Sequence, residues 1–411
     1  MLSHFVTSNT RKRTHKDTLK HTHGSPNSTQ QQATMNWVPP ADPEKPCCPY
    51  VAGFKMAITL NTPPPPFGGG SYRPPGARRA DGYDKIKDYT QTRYCVKEFQ
   101  PDEDPLPVNL DNENRRDLPA QTPRPSLVIE SVVRGGDTAG AQVVACHWDN
   151  DPGKTRYLGK IYDPLYYDFE NTEHRGIPTD VVWHAERDYS VEAAAYEVLE
   201  AYDARWAVQA TTVPQDESKN IKGCFPGYFG SFAFKSKVVV GGLTYTRTVP
   251  LLLTEYLPGP SMEQMCAVKH VKNPGGRGFI TTIEVPGTDD DRIHAFARAA
   301  ESYLKLAMAG VVQADFAPRN IFLIGELHDP NLRAVVSDFN VAKVFSRMNP
   351  SRSPPKVVDP ISFCASPDWE ASFRHWLPQW FFTDEDKRTS RLRVEFPSAI
   401  HEALENLEPG T

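Results

Sequence analysis

The stretch GVVQADFAPRNIFLI, Gly310 to Ile324, places an Asp and an Asn five positions apart in a loop closed by an apolar run. What surrounds it decides the fold. Upstream, residues from about Asp291 to Ala309 carry Ile293, Phe296, Ala297, Ala300 and Leu304 at helical spacing. Asp289, Asp290 and Asp291 stand where a helix N-terminus favours acids. Downstream, NIFLIG and RAVVSDF read as two short strands, the second ending at Asp338.

Working further toward the N-terminus, SLVIESVV, AQVVACHW and RYLGKIYD read as three strands of an antiparallel meander, the first two joined by the glycine-containing turn RGGDTAGA. The Ala/Glu/Leu-rich stretch DYSVEAAAYEVLEAYDARW reads as a helix, and YFGSFAFKSKVVVGGLTYTRTVPLLLTEYL as two more strands around Gly241-Gly242. NPGGRGFITTIEVPGTDDD reads as a loop before the next helix. Five strands and one helix, followed by a mainly helical part, predict an α+β, bilobal architecture.

Phosphoryl transfer from a nucleotide leaves little covalent chemistry to side chains; it requires positioning and charge compensation. Lys160 lies in an apolar strand and needs an anionic partner, which Glu192 on the following helix can supply. Asp315 and Asn320 share one loop, and Asp338-Phe339 end a strand. This order of residues resembles the protein-kinase-like superfamily over about Ser126 to Ala399, in particular compact kinase-like proteins of filamentous fungi, through GKIYDPLYYD, DFAPRNI and the SFC…W…HWLPQW tail.

The resemblance implies a bilobal protein-kinase-like fold with a five-stranded antiparallel N-lobe, about residues 121–257, and a reduced, mainly helical C-lobe, about 258–405. It implies an ATP-dependent phosphotransferase acting on a hydroxyl of a protein or small molecule, with ATP and Mg²⁺ as cofactors; the alternative is an inactive module that binds nucleotide or protein. Asp315 and Lys160 would be the catalytic pair. Lys160 would bind the α- and β-phosphates with Glu192 fixing it, Glu197 being the other choice for that glutamate. Thr254, Glu255, Tyr256 and Leu257 would face adenine, and Asn320 and Asp338 would hold the metal. Gln313 replaces a His that usually supports the loop. Asn340 replaces a Gly, and Asn tolerates positive φ. No A-P-E follows.

The chain's 411 residues hold 39% apolar and 24% charged side chains, enough for a sizeable core. A net charge of −5 gives no global reason to expect nucleic acid or a membrane surface as partner. No run approaches the ~20 apolar residues of a membrane span. Seven cysteines without metal-ligand spacing, and no secretory signal, point to reduced thiols in a cytoplasmic or nuclear setting. Residues 1 to about 120, rich in Pro, Gly and charge, read as a disordered linker, with RYCVKEFQ a short strand inside it. The basic, apolar-poor first 34 residues read as a solvated tail that need not belong to the natural product.

Overall fold

The computed structural model describes residues 37–68, 72, 80–98, 126–137, 140–170, 176–209, 220–272, 279–348 and 359–396. The basic tail and most of the charged stretch before Ser126 lie outside the described residues.

Six strands close into an antiparallel barrel. They are β1 (Lys55–Leu60), β2 (Ser126–Arg134), β3 (Gln142–Trp148), β4 (Tyr157–Ile161), β5 (Tyr228–Val240) and β6 (Leu243–Glu255), in the order β1-β2-β3-β4-β6-β5. The expected five-stranded antiparallel N-lobe is therefore incorrect. The sixth strand, β1, comes from the Pro-rich region read as linker. Its first half pairs with β2, Met56 opposite Leu127, and its second half pairs with β5, Ile58 opposite Phe234. Alternation explains why it can do this: Met56 and Ile58 are buried while Lys55 and Ala57 are exposed. Ile58→Ala should destabilise the protein by about 2–5 kcal/mol, because a fully buried branched side chain is lost from a closed core. Urea unfolding measures this, and a neutral result would return residues 55–60 to the status of linker.

RYCVKEFQ is also corrected. Gln91–Glu98 is a helix, α2, after a single turn α1 (Tyr83–Ile86). Its neighbouring buried Tyr94 and Cys95 suit one helix face, and Gln91 Nε2 anchors it at 2.8 Å to the carbonyls of both Pro164 and Tyr167. The next helix, α3 (Val181–Gln209), is longer than expected. Ala193, Ala194 and Ala195 are all buried, so it is packed on several sides rather than along one stripe.

Past the barrel come β7 (Ala267–Lys272) and β8 (Phe279–Glu284), paired as a hairpin, with β8 lying inside the stretch expected to be a loop. α4 (Asp289–Met308) starts at a reciprocal cap between Thr288 and Asp291 and stops before Gly310, whose φ of +92° only glycine adopts readily. β9 (Val311–Val312), β10 (Ile321–Ile324), β11 (Arg333–Val336) and β12 (Lys343–Val344) form two small ladders around the loop, β10 with β11 and β9 with β12. Four helices close the described chain: α5 (Pro360–Cys364), α6 (Asp368–Phe373), α7 (Gln379–Thr383) and α8 (Glu385–Glu395). Of these, α6 and α7 pack on α4 through Phe296, whose ring centroid lies 4.9 Å from Phe373 and 5.8 Å from Phe381. All seven cysteines are unpaired. Among the described residues no helix is long and apolar enough to cross a membrane.

Candidate active site

Lys160 sits in the interior of β4, between Val143 on β3 and Leu252 on β6, and is 7% exposed. A lysine so placed requires charge compensation, and it has two partners: its Nζ pairs with the Glu192 carboxylate of α3 and with Asp338 Oδ1, just past β11. Glu197 is instead half-exposed and faces Arg347 at 3.7 Å, so the lysine's helix partner is Glu192. Glu192 also accepts a 2.7 Å hydrogen bond from the buried Tyr162 hydroxyl. Tyr162 was missed in the sequence. Its position two residues after Lys160 was a readable signal, since alternate strand residues share a face.

Three charges in one buried cluster shift one another. Burial would lower the Lys160 ammonium, but Asp338 and then Glu192 raise it above its ordinary value. Burial pushes the Glu192 carboxyl up, against the pull of Lys160 and with the like charge of Asp338 adding to the rise. Burial acts upward on Asp338 too, yet Lys160 and then Arg134 hold it below the usual carboxylate range. Arg134, at the end of β2, lies 3.9 Å from Asp338 Oδ2.

Asp338 has φ 60° and ψ 65°, a left-handed conformation that is strained for a non-glycine residue. The positive φ falls on Asp338 rather than on Asn340, where the sequence suggested it. Phe339 after it is fully buried and packs edge-on to Tyr196 of α3 at 5.3 Å, one turn past Glu192. The aspartate and the glutamate are thus fixed against the same helix.

Gln313 secures the other side. Its buried amide donates from Nε2 to the Ser337 and Asp338 carbonyls, both at 2.7 Å, and its Oε1 accepts from the Asp315 N–H at 2.9 Å. Asn320 donates from Nδ2 to both the backbone and the side-chain oxygen of Asp315 at 2.9 Å, while Ser337 N–H returns to the Asn320 carbonyl at 2.9 Å. Asp315 keeps 36% of its side chain exposed and also pairs with Arg319, four residues on, an arginine the sequence reading passed over. Gln313→Leu leaves two carbonyls and one N–H without their partner. Such orphaned groups cost about 1–3 kcal/mol each, so a loss of several kcal/mol in urea unfolding is expected. A change within a few tenths would show that the amide is dispensable.

The glycine turn between β2 and β3 is pinned by a buried side chain. Gln142, 1% exposed, accepts from Gly136 N–H at 2.8 Å and donates to the Gly140 and Tyr166 carbonyls at 3.3 and 3.0 Å. Gly135 cannot carry a side chain without meeting Gln142, since a Cβ there would lie 2.9 Å from Oε1.

Thr254 is buried in β6 opposite Leu158 of β4, and Leu257 follows, also buried. Glu255 turns its carboxylate away from the barrel. Two 2.9 Å bonds join it to the Arg333 guanidinium of β11, and Gly227 N–H donates to it at 3.0 Å. Its side chain ties the barrel to the second half of the molecule. Phe316, next to Asp315, rests on Trp369 and Phe373 of α6 at 5.3 and 5.4 Å, so the C-terminal helices buttress the loop from the far side.

No known family matches the chain, and no curated protein does. Among solved structures, one described as the structure of vaccinia related kinase 3 is similar over 72% of this chain and 87% of its own, at 10% identity and a TM-score of 0.31.

Proposed function

We propose that the chain is an ATP-dependent phosphotransferase with a hydroxyl acceptor. The observation that supports this best is Lys160 held between Glu192 and Asp338 beside the Asp315-Asn320 loop. In this reading Lys160 takes the α- and β-phosphates, and Glu192 with Tyr162 keeps the ammonium in place. Asp315, the exposed acid of the group, orients the acceptor hydroxyl and takes its proton as that oxygen bonds to the γ-phosphorus. The bond from phosphorus to the β–γ bridging oxygen breaks, and ADP leaves. Thr254 to Leu257 border the adenine.

The residues fit a magnesium ion that brings most of its ligands with the nucleotide. Among the described residues there is no group of three or more His, Cys, Asp or Glu side chains arranged to hold a metal by itself. Asp338 is kept ionised, and Asn320 commits its amide nitrogen to Asp315, which leaves the amide oxygen for a cation. One carboxylate and one amide oxygen, with phosphates and water, is a set that suits Mg²⁺. When bound, the ion would offset charge on the β- and γ-phosphate oxygens.

One observation favours a second reading, a module that binds nucleotide without transfer: both Asp315 oxygens already accept bonds, from Arg319 and Asn320. Calorimetry of the full chain with ADP, with and without MgCl₂, and ADP release from ATP with peptide and small-alcohol acceptors separate the two. The phosphotransferase reading expects Mg²⁺-dependent binding and turnover. Binding without turnover leaves the module, and no binding at millimolar ADP ends both.

A further inference from the structure

Described residues between β1 and the barrel's second strand touch both halves of the site. Leaving β1, Asn61 N–H bonds the Ser231 carbonyl at 3.0 Å, and Asn61 Nδ2 donates to the Tyr189 hydroxyl of α3 at 2.6 Å, one helical turn before Glu192. Phe67 then packs edge-on to Trp183 of the same helix, 5.7 Å between centroids. Gly68, at φ +91°, lies so close to α3 that a Cβ would stand 2.9 Å from the Arg187 side chain. Further along, Asp81 N–H bonds the Asp180 carboxylate at the start of α3 at 2.8 Å.

Between those anchors, Tyr72 reaches the other half. It is 6% exposed, and its hydroxyl donates to the Ala342 carbonyl at 2.8 Å while accepting from Val344 N–H at 2.6 Å. Ala342 directly precedes β12 and Val344 ends it, four and six positions after Asp338. Burial pushes the phenol up to about 12, so it keeps its proton for the Ala342 bond at neutral pH. A strand of two residues has little ladder of its own, and a side chain that satisfies one donor and one acceptor there replaces a missing neighbour.

We infer that Tyr72 is a positioning residue. Through β12 and α3, Asn61, Phe67, Gly68, Tyr72 and Asp81 hold Asp338 and Glu192 in mutual register, so the site is complete only when these residues are in place. The inference deepens the phosphotransferase reading, on which its nucleotide readout rests, while its backbone readout does not.

The test compares full-length wild type with Tyr72→Phe and with Asn61→Ala. Amide exchange followed by mass spectrometry should be about threefold faster or more in Tyr72→Phe, both across residues 338–344 and in α3 around Glu192. Asn61→Ala, which keeps Tyr72, should speed exchange in α3 alone and decides the α3 arm if Tyr72→Phe does not fold. ADP affinity of Tyr72→Phe should fall about tenfold in MgCl₂ and clearly less in EDTA, because Asp338 would meet the nucleotide through the metal whereas Lys160 contacts phosphate directly. A purely structural role would weaken both equally. Faster exchange confined to residues 342–344, equal losses of ADP affinity with and without Mg²⁺, or an α3 indifferent to Asn61→Ala overturns the inference. If wild type binds no ADP, the phosphotransferase reading falls and the exchange arms still decide this one.

Discussion

Asp315→Asn should lower phosphoryl transfer by about 10²–10⁴-fold while leaving the fold and ADP binding intact, the range expected when a positioned acid-base group is removed. The substitution is nearly isosteric. The amide oxygen can still accept from Asn320 Nδ2, and among the described residues the ion pair lost is the one with Arg319, which is more than half exposed. Such a surface pair is worth about 0–1 kcal/mol, so urea unfolding should move little. Lys160, Glu192 and Asp338 are untouched, and ADP calorimetry should match wild type. A variant that retains wild-type turnover would show that Asp315 does not handle the proton. A variant that loses ADP binding as well would make the residue part of the nucleotide site.

The second large effect belongs to Lys160→Met, and it falls on stability as much as on nucleotide binding. Removing the ammonium leaves Glu192, 2% exposed, with only the Tyr162 hydroxyl, and leaves Asp338 with Arg134 at 3.9 Å. Breaking a buried pair from one side costs about 3–5 kcal/mol. The pH dependence follows from Glu192. Its carboxyl is already raised by burial, and without Lys160 it rises further. A group with a raised pKa in the folded state stabilises below its unfolded pKa and loses that contribution as pH rises through the folded value. The deficit of Lys160→Met relative to wild type should therefore be widest near neutral pH and narrow toward pH ~5. Adding Glu192→Gln should recover part of the stability and none of the turnover. Melting curves across that range test this. A deficit that widens in acid would place the burden on a different group.

How much of this was written legibly in the chain depended on whether a signal was local. β2 to β6, α4 and the two strands flanking the loop follow from alternation, turn residues and helical spacing. The contact of Lys160 with Glu192 was legible as a buried cation in search of an acid, although spacing alone did not separate Glu192 from Glu197; the direction in which α3 faces the barrel did. β1 was not legible. Met56, Ile58 and Leu60 alternate as a strand should, but the prolines after them outweighed six residues of pattern. α2 was misread because the adjacent apolar residues Tyr94, Cys95 and Val96 suit either a helix face or a buried strand. The left-handed backbone of Asp338 is imposed from outside, by Lys160 on its carboxylate, Gln313 on its carbonyl and Phe339 wedged against Tyr196. No property of the triplet Asp-Phe-Asn itself announces it.

The closure of the barrel by β1 also sets an order of events during synthesis. Ile58, Thr59 and Leu60 find their partners at Phe234, Ala233 and Phe232, 172 to 176 residues further along the chain. Contacts of such long reach form late, because the intervening loop must be closed before they contribute. As the chain leaves the ribosome, β1 can therefore lie against β2 with its other edge bare until β5 has emerged, and that bare edge is a template for pairing with another chain. Lys55 and the prolines that follow Leu60 guard the two ends of the exposed edge during that interval. The proline run that masks the strand in the sequence has no N–H to donate, so it cannot extend that bare edge into a longer ladder.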